Sequence, residues 1–130
     1  IEPFLIASTL LMSIAQRLLR KVCTSCGKPV LPNPALLKAL GLDESFKGDF
    51  VSGAGCKACG NSGYKGRIGV FEVLLNDYNV QEMIMRRASS GEILKALVKA
   101  NKLTTLKVDA VSKAAQGMTT LEEAASAVLV

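Results

Sequence analysis

With 130 residues, 49% of them apolar and 21% charged, the chain has the makeup of one small folded domain or two very small ones, and not that of a disordered segment. Aromatic residues are only 5% and Trp is absent, so the core must be built from Leu, Ile, Val, Ala and Met, a mixture that favours helices over a sandwich of strands. The net charge of +5 is local: between Arg17 and Arg67 nine basic residues face three acidic ones, and the rest of the chain holds seven basic and eight acidic.

The near-apolar stretch from Pro3 to Ala15 lacks a basic leader and a small-residue cleavage site, so it is not a secretory signal. It is also shorter than the roughly 20 residues a membrane-spanning helix needs. Because the chain begins at Ile1 inside an amphipathic pattern, it reads as trimmed from something longer. Ile6, Leu10, Leu11, Ile14 and Leu18 recur at helical spacing, and Arg17, Arg20 and Lys21 gather where cations suit a helix C-terminus, which predicts a helix over 4–20. A short helix is expected over 35–40, with Asn33 as cap, Pro34 in its first turn and Gly41 as its stop. Residues 41–55 read as loop with a short strand near 49–52, and 64–74 as a hairpin or short sheet punctuated by Gly63, Gly66 and Gly69. Four helices are expected beyond Asn76, over 80–88, 90–101, 104–116 and 120–129, from the cap pairs Asn79 with Glu82, Ser89 with Glu92 and Thr119 with Glu122, and from the stop at Gly117. The expected fold is mixed α+β and mostly α-helical, in three consecutive parts: a helix over 1–21, a cysteine module over 22–75 and a helical bundle over 76–130.

All four cysteines fall in two C-x-x-C-G knuckles, Cys23-Thr-Ser-Cys26-Gly27 and Cys56-Lys-Ala-Cys59-Gly60. One such turn presents two sulfurs from a tight loop, and the following Gly lets backbone amides turn toward them. Two turns complete a tetrahedral four-sulfur shell, the arrangement of structural zinc, so Cys23, Cys26, Cys56 and Cys59 are the expected Zn2+ ligands. Four thiolates around Zn2+ carry a net charge of about minus two, which the surrounding Lys and Arg offset. Two disulfides would require an oxidising compartment, for which the sequence gives no sign. A thioredoxin-like site needs one knuckle at a helix start, not two symmetrical ones. A closed four-sulfur shell leaves no position for a reactive water, and no His is present to serve as base. Rubredoxin-type iron uses the same pair of knuckles, and spacing alone does not separate the two metals; the few aromatics nearby, Phe46, Phe50, Tyr64 and Phe71, and the helical flanks favour zinc. Residues 55–62 trace a Walker A outline with Asn61 where Lys is required, and Gly53-Ala-Gly55 begins a partial dinucleotide fingerprint; neither has the charge or context to bind phosphate.

Four segments, Glu2 to Leu10, Ala15 to Cys23, Gly55 to Leu74 and Gly117 to Glu123, together resemble the assembly ATPases of type II secretion and type IV pili. The resemblance implies a hexameric cytoplasmic motor at the inner membrane that uses ATP and Mg2+, with this chain as its C-terminal zinc-binding region. It further implies that Walker A, Walker B and the His-rich motif lie upstream of Ile1, so this chain is not expected to be an enzyme by itself and has no catalytic residues. The implied partners are the rest of the motor subunit, neighbouring subunits of the hexamer and an inner-membrane platform protein. A nucleic-acid-binding zinc ribbon is the alternative, motivated by the basic bias between Arg17 and Arg67. It is weakened by the scarcity of aromatics interleaved with those charges, so no nucleic acid is expected.

Overall fold

The computed structural model describes residues 1–129. In chain order the elements are α1 (Pro3–Thr9), β1 (Met12–Val22), β2 (Gly27–Pro29), α2 (Pro34–Ala39), β3 (Val51–Gly53), a 3-10 turn (Lys57–Cys59), β4 (Tyr64–Leu75), α3 (Tyr78–Met85), α4 (Ser90–Lys99), α5 (Leu106–Ala115) and α6 (Leu121–Val128). This is the expected α+β mixture; β2 and β3 are short, whereas β1 and β4 run to 11 and 12 residues. No helix among the described residues is long and apolar enough to cross a membrane.

The helix expected over 4–20 is not formed. Helix ends at Thr9, and Met12–Val22 is a strand that pairs with β4. Met, Leu, Ala, Gln and Arg dominate this stretch and prefer helix locally, but β4 carries Tyr64, Ile68, Val70, Phe71 and Val73, a strongly strand-forming run whose pairing partner overrides that preference. For the same reason 64–75 is one continuous strand and not a hairpin: its partner comes from residues 12–22. The second sheet is local, with β2 and β3 antiparallel and Gly27 opposite Gly53.

Downstream the helices fall close to expectation, with two caps displaced. Asp77, not Asn79, caps α3 by accepting the Val80 N–H, and Thr120, not Thr119, caps α6 by accepting the Glu123 N–H. Ser89 caps α4, and Asn33 caps α2, as predicted.

Contacts divide the chain into two interleaved units, and the cuts fall inside β1 and inside β4. One unit holds 1–15 and 71–105, where α1 packs on α3 and Val80, Met83, Leu97 and Leu103 form the core. Within it, the Asn76 amide donates to the carbonyls of Ala7 and Leu10 at 3.0 and 2.7 Å and so closes the end of α1. The other unit holds 16–70 and 106–129 and carries all four cysteines. Its core joins Leu19, Leu37, Leu40, Phe50 and Val70 to Ala110, Val111, Ala114, Leu121, Ala124 and Ala125.

Candidate metal centre

Cys23 and Cys26 lie on the turn from β1 into β2, and Cys56 and Cys59 bracket the 3-10 turn that follows β3. Two close backbone approaches bring the turns together. The Cys23 N–H donates to the Gly63 carbonyl at 2.9 Å, and the Ala54 N–H to the Cys26 carbonyl at 3.2 Å. A third approach, of Gly53 to Gly63, requires bare glycine, because a Cβ on Gly53 would clash with the Gly63 backbone. Gly60 adopts the left-handed conformation, φ 63°, that the knuckle needs after its second cysteine.

All four Sγ atoms lie within 4.8 Å of one another. Cys23 to Cys56 and Cys26 to Cys59 are 3.8 Å apart, and Cys56 to Cys59 is 3.7 Å. The cysteines are free, not paired as disulfides. A tetrahedral ion bound by thiolates at about 2.3 Å sets its sulfurs about 3.8 Å apart, so the spacing fits such an ion directly. Backbone amides point at the sulfurs: Gly55 N–H to Cys26 at 3.3 Å, Cys56 N–H to Cys59 at 3.3 Å and Gly63 N–H to Cys59 at 3.2 Å.

These surroundings also tune the thiols. Burial opposes ionisation of Cys59, but the N–H groups of Gly63 and Cys56 and the neighbouring thiols outweigh it and bring its pKa down to about 6. Burial likewise opposes ionisation of Cys23, and the amides of Ser25 and Cys26 lead the groups that hold its pKa below the ordinary thiol value. Cys26 is pushed up to about 11, by burial first. A metal ion needs its ligands as thiolates, and the amide donors favour that form at Cys59 and Cys23, whereas at Cys26 burial outweighs the Gly55 amide.

Beside the knuckles lies a polar cluster that sequence reasoning missed. Glu123 accepts Nε and Nη2 of Arg20 on one oxygen, at 2.9 and 2.7 Å, and the Arg20 backbone N–H on the other, at 2.9 Å. The Arg20 guanidinium lies 4.1 Å from the centre of the Tyr64 ring, and the Tyr64 hydroxyl is 2.8 Å from Thr120 Oγ1. Thr119 Oγ1 donates to the Arg20 carbonyl at 2.7 Å. The signal available was Thr120-x-x-Glu123, a capping pattern one residue beyond the Thr119 and Glu122 pair that the sequence suggested. Arg20 itself read as a helix-end cation, which no sequence pattern would link to a partner 103 residues away.

Residues 1–126 match the family described as Type II/IV secretion system protein. The chain is 41% identical over 125 residues to the type IV pilus assembly ATPase PilB of Thermus thermophilus, covering 95% of this chain and 14% of that protein. It is 36% identical to the type II secretion system protein E of Pectobacterium carotovorum and 38% identical to the type II secretion system ATPase E of Vibrio cholerae, in each case covering 95% of this chain and 24% of the relative. The chain thus spans between 14% and 24% of the length of these relatives.

Proposed function

Because the chain belongs to the Type II/IV secretion system protein family, we propose that it is the C-terminal metal-binding portion of a hexameric motor ATPase that powers type II secretion or type IV pilus assembly. In this reading residues 1–21 continue the motor's core, 22–75 are the metal-binding module and 76–130 are a C-terminal helical part. This is a division by role, distinct from the division by contacts. ATP and Mg2+ belong to the rest of the parent, and this portion has a structural and interaction role and no catalysis of its own. The parent works in the cytoplasm, peripheral to the inner membrane, among the other subunits of the hexamer and a membrane platform protein. No nucleic acid is expected as a partner: few aromatics interleave with the basic residues between Arg17 and Arg67, and Arg20, near the start of that run, is committed to Glu123.

The observation that carries the proposal is the four-sulfur cluster, with three Sγ separations of 3.7–3.8 Å like those of a tetrahedral thiolate shell, set in a chain of this family. Cys23, Cys26, Cys56 and Cys59 are the proposed ligands and Zn2+ the proposed ion. Bound there, Zn2+ supplies four thiolate bonds that cross-link the two turns and leaves no open coordination position. The chain contributes the preset sulfurs, the amides that support them as thiolates and the glycine contact that holds the turns together.

Elemental analysis of the purified chain should give one zinc per chain; stoichiometric iron, or two disulfides by mass, overturns the zinc assignment. In the full-length motor, Cys56→Ser replaces a thiolate by an ill-matched oxygen and should release the segment after Cys59. Nucleotide affinity should persist while export or pilus assembly fails. Normal export by a variant shown to lack zinc would reduce the module to a dispensable staple, and lost ATP binding would mean global unfolding.

A further inference from the structure

We infer that Arg20, Tyr64 and Glu123 are positioning residues for the two cysteine turns, and that through them the N-terminus of α6 and metal binding are thermodynamically linked. This rests on the metal reading above and adds residues that are not ligands.

Backbone enters and leaves the cysteine cluster at two points. Arg20 stands three residues before Cys23 on β1, and its peptide group is gripped on both sides: the N–H by Glu123 at 2.9 Å and the carbonyl by the Thr119 hydroxyl at 2.7 Å. Two residues on, the Val22 N–H donates to the Met118 carbonyl at 3.1 Å. The strand that delivers Cys23 is therefore aligned by residues 118–123. At the exit, Gly63 gives its N–H to Cys59 Sγ at 3.2 Å and takes the Cys23 N–H at 2.9 Å. The next residue is Tyr64, whose ring lies 4.1 Å from the Arg20 guanidinium and whose hydroxyl reaches the α6 cap, Thr120, at 2.8 Å. One cation thus bridges the entry to the first turn and the exit from the second, and both are tied to the same helix start.

Most exposed ion pairs contribute little, and the Arg20 side chain is 57% exposed. Glu123 differs, being 13% exposed with both carboxylate oxygens engaged. The effect of this cluster is orientation more than strength. Groups that orient metal ligands typically change affinity by about 10 to 100-fold when removed. Linkage is reciprocal, so if α6 helps metal bind, metal must help α6 stay capped.

The test measures Zn2+ affinity of the 130-residue chain by competition with a chromophoric chelator, for the wild type, Glu123→Gln, Arg20→Met and Tyr64→Phe. Lys113→Met serves as control: it breaks the Asp109 pair and a bond to the Gly69 carbonyl in the same unit, away from the cysteines. Glu123→Gln and Arg20→Met should each weaken Zn2+ binding about tenfold or more. Tyr64→Phe removes a single hydroxyl, so it should fold even if the others do not, and should weaken binding about threefold to tenfold. The Arg20→Met, Glu123→Gln double variant should lose less than the product of those two single losses. The Co2+ form of Glu123→Gln should show a shifted thiolate charge-transfer band. In the wild type, Zn2+ should raise hydrogen-exchange protection of the Glu123 and Ala124 amides. Unchanged affinity in the three variants, or an equal loss in Lys113→Met at matched loss of thermal stability, overturns the proposal and leaves the metal site standing. A wild-type chain that takes up neither Zn2+ nor Co2+ overturns the metal reading and this one with it.

Discussion

One carboxylate oxygen of Asp77 accepts the Val80 N–H at 3.0 Å and so caps α3, while the other takes Lys102 Nζ at 2.9 Å. The cap amide first, and then the lysine, hold its pKa below the ordinary value of 3.8. A carboxylate with a depressed folded-state pKa contributes stability that is fully present above its unfolded-state pKa and is lost as the pH falls through the lower folded value. Asp77→Asn keeps an acceptor for the cap and loses the ion pair, whereas Asp77→Ala loses both. At neutral pH urea midpoints should therefore fall in the order wild type, Asn, Ala; below the folded pKa the wild type should approach the Asn variant. A gap between wild type and Asn that is unchanged at low pH would show the charge to be irrelevant. Legibility at this scale followed distance along the chain. The knuckle cysteines were readable because each pair is local and the two pairs repeat one pattern. Asp77 was missed by two positions in favour of Asn79, and Arg20 was assigned to a helix dipole because its true partner is remote.

Four helices here end in the same hydrogen-bonded turn. After α2, α3, α4 and α5 the left-handed position is filled by Gly41, Arg87, Asn101 and Gly117, with φ of 76°, 59°, 57° and 78°. In each, the amide of that residue bonds back to the third-last carbonyl and the next amide to the one before it, as Arg87 to Ile84 at 3.0 Å and Ala88 to Met83 at 2.9 Å. Glycine adopts this conformation without cost and Asn at little cost, but the Cβ of an arginine makes it unfavourable by about 1–2 kcal/mol. Arg87 is exposed, and among the described residues its side chain makes no ion pair or hydrogen bond. Arg87→Gly should therefore raise stability by about 0.5–1 kcal/mol once the greater freedom of glycine in the unfolded chain is subtracted. Equilibrium denaturation showing a loss would mean that its aliphatic stem packs usefully. The two glycine stops were legible because glycine announces the conformation; Arg87 carries no such signal. Strand β1 was illegible for another reason. Its residues favour helix, and only pairing with β4, some fifty residues on, makes it a strand.

At the scale of the whole chain, order along the sequence and membership of a core disagree. Chain order sets α5 and α6 apart from the cysteines, yet Ala110, Val111, Ala114, Leu121, Ala124 and Ala125 share one core with Leu37 and Phe50, which flank β2 and β3. The α3 and α4 helices belong to the other unit, whose core of Val80, Met83, Leu97 and Leu103, with Leu74 of β4 packed against it, includes none of the cysteines. Structural zinc in small domains contributes on the order of 10 to 16 kcal/mol of binding free energy, comparable to the entire stability of a domain this size. Stripping the ion should then affect the two units unequally. The turns around Cys23 to Cys26 and Cys56 to Cys59 should lose protection first, then β2 and β3, and α5 and α6 should follow because Phe50 no longer has a fixed backbone to present it. Protection of α3 and α4 should change least, since none of their core contacts passes through the sulfurs. Hydrogen exchange by mass spectrometry, with and without a strong chelator, reads each segment separately. Loss confined to residues 22–75 would mean that α5 and α6 hold without that shared core, and equal loss through α3 and α4 would mean that the chain unfolds as one cooperative body.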